Sequence, residues 1–140
     1  MSKQVEIKTK ENDFPIMEFL EKIEDESKKK DSIVLYNIIL QHTKEEGKLW
    51  GDSIIGFIKY MASYQSNRSV EWFKVGFSPR KNYISLYLNF ILYDENNIEL
   101  AQKLGKVKIG RGCINFKKLS DLDKGVLNQL IGIALKANKV

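Results

Sequence analysis

Three short stretches of this 140-residue chain gather glycines, cations and small polar groups at spacings that could do chemistry. In Leu49-Trp50-Gly51-Asp52-Ser53-Ile54-Ile55-Gly56-Phe57, a glycine beside a large ring lets the backbone turn tightly. Asp52 and Ser53 then offer a carboxylate and a hydroxyl, either to cap the local backbone or to orient a ligand beside a Trp50 wall. In Gly76-Phe77-Ser78-Pro79-Arg80-Lys81, Pro79 restricts the turn and sets a guanidinium beside an ammonium. That arrangement suits a phosphate or a carboxylate, and it equally describes a solvated hairpin turn. Leu104 to Cys113 interleaves Gly105, Gly110 and Gly112 with Lys106, Lys108 and Arg111, so backbone N–H groups there could form an anion nest among positive side chains. The spacing GxxxxGK[ST] is absent and the segment follows a helix and enters a strand, which disfavours nucleotide hydrolysis. Cys113 is either a small buried strand residue or a thiol acidified by the neighbouring cations.

Catalytic constellations are thin. His42 is the chain's one histidine and Cys113 its one cysteine, so a Ser-His or Cys-His pair has a single possible base, and a disulfide framework, a Cys-paired zinc site and multi-His metal sites are excluded. His42 reads as a helical residue near a C-terminus, where an imidazolium suits the dipole. Asp52 is the one carboxylate inside the three stretches, which leaves no paired acids of the glycosidase kind. The acidic concentration lies elsewhere, at Glu18, Glu21, Glu24, Asp25 and Glu26, where oxygen ligands could hold a hard cation. Interleaved Lys22 and the following Lys28 to Lys30 make a solvated helix face the alternative.

The net charge of +5 is unevenly divided. Residues 1–49 carry nine Lys and eleven acids, a balance of −2, whereas residues 50–140 carry fourteen Lys and Arg and seven acids, a balance of +7. An electropositive second portion raises the local concentration of anions. With 43% apolar and 29% charged residues and two prolines, the composition is that of one domain with its own core. No apolar run approaches the roughly 18 residues of a membrane span, and the polar start argues against a secretory signal. The expectation is a cytoplasmic protein without membrane contact.

The elements that must position these stretches follow from periodicity. Residues 1–12 are unpatterned and read as a loose arm, with 13–140 as a single domain. Asp13 and Pro15 open a helix that carries Ile16, Phe19, Leu20 and Ile23 to about Glu24, and a second helix centres on Ile33 to Leu40 and stops at Gly47. Phe57 to Ala62 and Trp72 to Phe77 form a hairpin around a turn at 65–69, and Tyr83 to Leu88 alternates as a third strand. Asn96 or Asn97 caps a short helix, Lys108 to Phe116 gives one fourth strand, and Asp121 or Asp123 caps a last helix. The order α-α-β-β-β-α-β-α predicts an α+β domain: a mostly antiparallel four-stranded sheet with helices packed on it.

Taken in order, the three stretches resemble the YdhG-like family of small bacterial domains of unknown function, from about Phe14 to Leu135. Leu119-Ser120-Asp121-Leu122-Asp123 is similar to that family's Leu-Ala-Asp-Val-Asp segment, and Phe19 to Asp31 resembles its acidic helix and basic run. Where the family carries Gly-Lys-His-Lys-Thr-Gly-Lys-Ser-Cys, this chain has Val107, Ile109, Arg111 and Gly112 at four positions. The resemblance implies an α+β fold and a cytoplasmic location. A frataxin-like relative implies iron binding as an alternative, carried here by Glu18, Glu21, Glu24, Asp25 and Glu26.

The leading expectation is a non-enzymatic module, without a cofactor, for a small anionic ligand or the phosphate or carboxylate of a larger partner. Trp50, Asp52, Ser53, Arg80, Lys81, Gly105, Lys106, Gly110, Arg111 and Cys113 would bind it. Single-stranded nucleic acid, on Trp72, Tyr60, Tyr83 and Tyr87, ranks lower because the RNP aromatic signature is missing. An enzyme with an unfamiliar site stands as a further reading.

Overall fold

Four helices and one antiparallel sheet make up a computed structural model of the chain, which describes residues 11–63, 69–89, 91–110 and 112–137. Most of the arm expected over 1–12, most of the turn expected over 65–69, and Arg111 lie outside the described residues.

Helix α1 (Ile16–Glu21) starts directly after Pro15, at φ −62°, with no side-chain cap. Asp13, the expected cap, instead pairs with Lys48 at 3.5 Å. Helix α2 (Glu26–Thr43) begins well before its apolar run because Asp25 accepts a hydrogen bond from the Lys28 N–H at 2.9 Å. That cap lets two largely polar turns continue into the buried Leu35 and Ile39. The helix stops at Lys44 in the left-handed region, φ 60°, and not at Gly47. Gly47 is buried, with its N–H donated to the Tyr36 hydroxyl at 3.0 Å. Asp94 caps α3 (Glu95–Gln102), and Asp123 caps α4 (Lys124–Lys136), which buries Leu127, Leu130, Ile131 and Ala134.

The sheet has seven strands, which corrects the expected four. They are β1 (Glu11–Asn12), β2 (Lys48–Trp50), β3 (Ile54–Ser63), β4 (Ser69–Pro79), β5 (Ile84–Tyr87), β6 (Lys108–Ile109) and β7 (Cys113–Phe116), arranged β1-β2-β3-β4-β5-β7-β6 with every neighbour antiparallel. The chain order becomes β-α-α-β-β-β-β-α-β-β-α, not α-α-β-β-β-α-β-α. Two causes account for the difference. Strands β1 and β2, of two and three residues, are too short to display an alternating period. The run from Lys108 to Phe116 folds back on itself, with the Gly110 N–H donating to the Cys113 carbonyl at 2.9 Å, so one expected strand is a tight hairpin.

All four helices contribute to one apolar core on one face of the sheet, with Leu20, Leu35, Ala101 and Leu130 meeting Ile55, Phe57, Val75, Phe77, Leu86 and Ile114. The other face carries its own cluster. Phe73 stacks on Trp72 with centroids 4.5 Å apart, and meets Trp50 at 5.3 Å and Tyr87 at 5.9 Å edge to face. This cluster needs Gly56 and Gly76 beneath it, since a Cβ at either would come within 2.6 Å of the Phe73 ring. Ile58, at φ 65°, rotates β3 between Phe57, which faces the core, and Lys59, which pairs with Glu11 at 3.5 Å on the other face. The pairing register with β4 is unchanged across it.

Candidate anion-binding site

Antiparallel register places the polar stretches relative to one another. Pro79 pairs with Ile84, Ile84 with Phe116, and Lys108 with Asn115, so β4, β5, β7 and β6 all begin or end on one row across the sheet. Ile54, paired with Trp50, opens β3 at the same end. The turn at 51–53, the turn at 80–83, the exit at 117–119 and the approach to β6 therefore gather at one end of the sheet. The first turn of α2 joins them: Lys28 Nζ donates to the carbonyls of Arg80 and Lys81, and the Leu119 N–H donates to Asp31 Oδ2 at 3.0 Å.

Within this end the 80–83 turn is tied at several points. The Arg80 N–H donates to the Tyr83 carbonyl at 2.7 Å, and two carbonyls of the turn are held by Lys28, so the backbone below Arg80 and Lys81 is fixed from both sides. The Arg80 side chain runs along the helix-free face and donates from Nη2 to the Tyr87 hydroxyl at 3.1 Å. That bond pushes the guanidinium's pKa above its ordinary value, and the side chain is exposed and charged. Lys81 is exposed beside it.

Cys113 pairs in register with Tyr87, which brings the thiol into the field of Arg80. Burial pushes the Cys113 thiol up, and Arg80 pulls it partly back. Truncation by Arg80→Ala removes the larger of two lowering influences, leaving the Ser85 hydrogen bond and the raising effect of burial. The midpoint of the pH profile for Cys113 alkylation by iodoacetamide, followed by mass spectrometry, is expected to move to higher pH. A midpoint that stays put or falls would separate the two residues. The midpoint is the readout because truncation also alters access to the sulfur.

The other expected site residues divide sharply. Lys106 lies at this end, exposed. Asp52 is exposed in the 51–53 turn, and Ser53 is tied to Ser78, whose hydroxyl donates to the Ser53 carbonyl at 2.6 Å. Trp50 is 1% exposed, sealed under its own aromatic neighbours, and offers no wall to a ligand. Gly105 belongs to the helix side: it bridges Leu122 and abuts the Asp121 carbonyl. Gly110 closes the β6–β7 turn beside Cys113, at the opposite end of these short strands from the Arg80 backbone, and Arg111 lies outside the described residues.

The acidic set is spread over separate tasks. Glu21 and Glu26 approach Lys29 at 3.3 and 4.0 Å, Asp25 caps α2, and Glu18 and Glu24 are exposed. Among the described residues no group of three or more His, Cys, Asp or Glu side chains is arranged to hold a metal ion. His42 contacts Asn128 Oδ1 at 2.8 Å, linking α2 to α4. Of the aromatics considered for base stacking, Tyr60 donates its hydroxyl to Asn89, Trp72 and Tyr87 belong to the Phe73 cluster, and Tyr83 is exposed on the cationic turn.

Two contributors escaped the sequence reading. Lys28 reaches across 52 and 53 residues to its carbonyls, a contact with no local signature. Tyr87 shares the Ser85 face of an alternating strand, so its position was legible although its bond to Arg80 was not. No helix among the described residues is long and apolar enough to cross a membrane. No family model, no curated protein and no solved structure matches the chain.

Proposed function

We propose that the protein is a non-enzymatic binding domain for a phosphate or carboxylate group, carried by a small ligand or by a larger partner, and that Arg80 and Lys81 receive that group. The observation that carries this reading is the clamped turn: two adjacent cations stand on a backbone already held by Lys28 and closed by the Arg80–Tyr83 bond. Ordering costs that would otherwise be met on binding are thereby met on folding. A guanidinium braced by a tyrosine hydroxyl presents its remaining donors in a fixed fork, the geometry that oxyanions match. A binding role also accords with His42, whose ring nitrogen is engaged by Asn128 on α4. The iron-chaperone reading draws less support, because Glu21 and Glu26 already pair with Lys29.

The test is a thermal-shift and NMR titration with inorganic phosphate, pyrophosphate and citrate. At a hundredfold excess over Kd, binding stabilises by about 2.7 kcal/mol, so a shift of several degrees is expected for at least one anion. Amide shifts should centre on residues 80–83, and Arg80→Ala should abolish the effect. A flat response to all three anions would overturn the reading.

A further inference from the structure

The anion reading just given concerns one turn; the layout of the whole sheet end points to what kind of molecule carries the anion. Adjacent strands lie about 4.8 Å apart, so the backbone at Arg80 and Lys81, leaving β4, stands about 14 Å from that approaching β6 at Lys106, three strands away, while the Arg80 guanidinium reaches along β5 to Tyr87. Lys117 and Lys118 leave β7 between them. Lys30 immediately precedes Asp31, which fastens α2 to this end through Leu119. All six of these cations are exposed, and among the described residues none is in an ion pair.

Of the acids on and beside α2's first turns, Glu26 lies on Lys29, while Asp25 and Asp31 are held by backbone N–H groups and keep their charge. Asp52 is the carboxylate left exposed in the 51–53 turn. An open depression of about 480 Å³ is lined by residues of α2's first turns, including Glu26, Lys30 and Ile33, and takes in none of Arg80, Lys81, Lys106 or Lys117. A small ligand is normally held in a concavity that buries most of its surface. Cations spread across the ends of four neighbouring strands match a linear polyanion. At about 3.4 Å per stacked nucleotide, a 14 Å row spans about four nucleotides of one strand. Tyr83, 37% exposed and flanked by Lys81 and Asn82, sets one aromatic face among the charges, and single-strand binders use such faces to stack a base.

Resting on the anion reading, we infer that the carrier is single-stranded nucleic acid, bound without sequence preference, its backbone crossing from Arg80 and Lys81 past Lys117 to Lys106 and one base stacked on Tyr83. The order set by sequence alone, small anion above nucleic acid, reverses because the cations spread over three strand spacings.

The experiment is fluorescence anisotropy of a labelled oligo-dT and an oligo-U of about 12 nucleotides, within the site sizes of single-strand binders. It is run on the full chain from about 50 to 200 mM salt, with inorganic phosphate and phosphatidylserine vesicles as parallel arms. With four to five phosphates neutralised, log K against log salt should fall with a slope of about −3, and Lys106→Gln with Lys117→Gln should flatten it by about 1.4. Tyr83→Ala should weaken binding about tenfold. Asp52→Asn should tighten binding of the strand, because a repelling carboxylate is gone. Circular dichroism confirms that these surface variants fold. Phosphate binding at Arg80 with no tighter binding of the oligonucleotide would overturn the nucleic-acid inference and leave the anion reading standing. Failure of both arms would remove the anion reading as well. Equal binding by vesicles, or an unchanged affinity in Tyr83→Ala, would overturn the single-strand assignment.

Discussion

Replacing Gly105 by alanine should destabilise the fold by about 3 kcal/mol or more, a fall in Tm of about 10 °C for a domain of this size. Gly105 sits at φ 137°, a backbone conformation that L side chains rarely adopt. An added Cβ would stand 2.0 Å from the Asp121 carbonyl oxygen, which is backbone and cannot rotate away. The close approach has a purpose. Gly105 bridges Leu122, and the Asp123 N–H donates to the Leu104 carbonyl at 2.7 Å, so the end of α3 is tied to the start of α4 with Leu104 fully buried beneath. Alanine would prise these segments apart, pulling on Asp123, the cap of α4. Gly112→Ala is the control: no atom lies within 4 Å of the Cβ it would add, and its cost should stay within about 0.5 kcal/mol. Equal unfolding midpoints for the two variants, in heat or urea, would refute this account of the 104–123 junction.

Gly105 also illustrates what could be read without coordinates. A glycine among cations was legible as a backbone position suited to an anion nest, but its contact with Asp121 spans 16 residues and has no local mark. The alternation of Ile84 and Leu86 and the capping role of Asp123 were legible because period and cap chemistry are local. The fold-back of Lys108 to Phe116 was not, because Gly110 and Gly112 read equally well as an anion nest and as a turn. The site divides in the same way. Arg80 and Lys81 stood out as adjacent cations behind a proline, and the pairing Pro79–Ile84–Phe116 carries Lys106 to their end of the sheet. Trp50 was taken for a wall because a Trp–Gly pair suggests an open turn, whereas Phe73 and Trp72 arrive over it from β4, more than twenty residues away. Pairing over long sequence distances decides which exposed groups share a surface, and single-sequence periodicity does not encode it.

The second large effect is expected at Asn89, where Asn89→Ala should cost about 3 kcal/mol, again about 10 °C in Tm. The last carbonyls of a helix have no partner within it. In α4 the sheet supplies them. Asn89 Nδ2 donates to the carbonyls of Ala137 at 3.0 Å and Ala134 at 3.3 Å, Lys74 Nζ donates to that of Leu135 at 3.1 Å, and Asn89 Oδ1 accepts from the Tyr60 hydroxyl. Asn89 is 5% exposed, so alanine removes three hydrogen bonds from a largely buried place at about 1 kcal/mol each, although the Ala134 carbonyl keeps the Ala137 N–H. It also holds φ 58°, which asparagine tolerates better than alanine. Asn89→Gly separates the two contributions: it keeps the backbone conformation, loses the same bonds, and should recover about 1 kcal/mol of the loss. Asn89→Asp isolates the donor. It preserves shape and the acceptor for Tyr60, but sets a carboxylate against the Ala134 and Ala137 carbonyls, so the folded state favours the protonated acid and raises that group's pKa above its unfolded value. The variant should therefore be least stable at neutral pH and regain stability relative to the parent as pH falls through the folded-state pKa, where an O–H can donate as the amide did. Urea midpoints for parent and variant between pH 4 and 8 measure the difference, and a gap independent of pH would show that the Asn89 amide does not hold the end of α4.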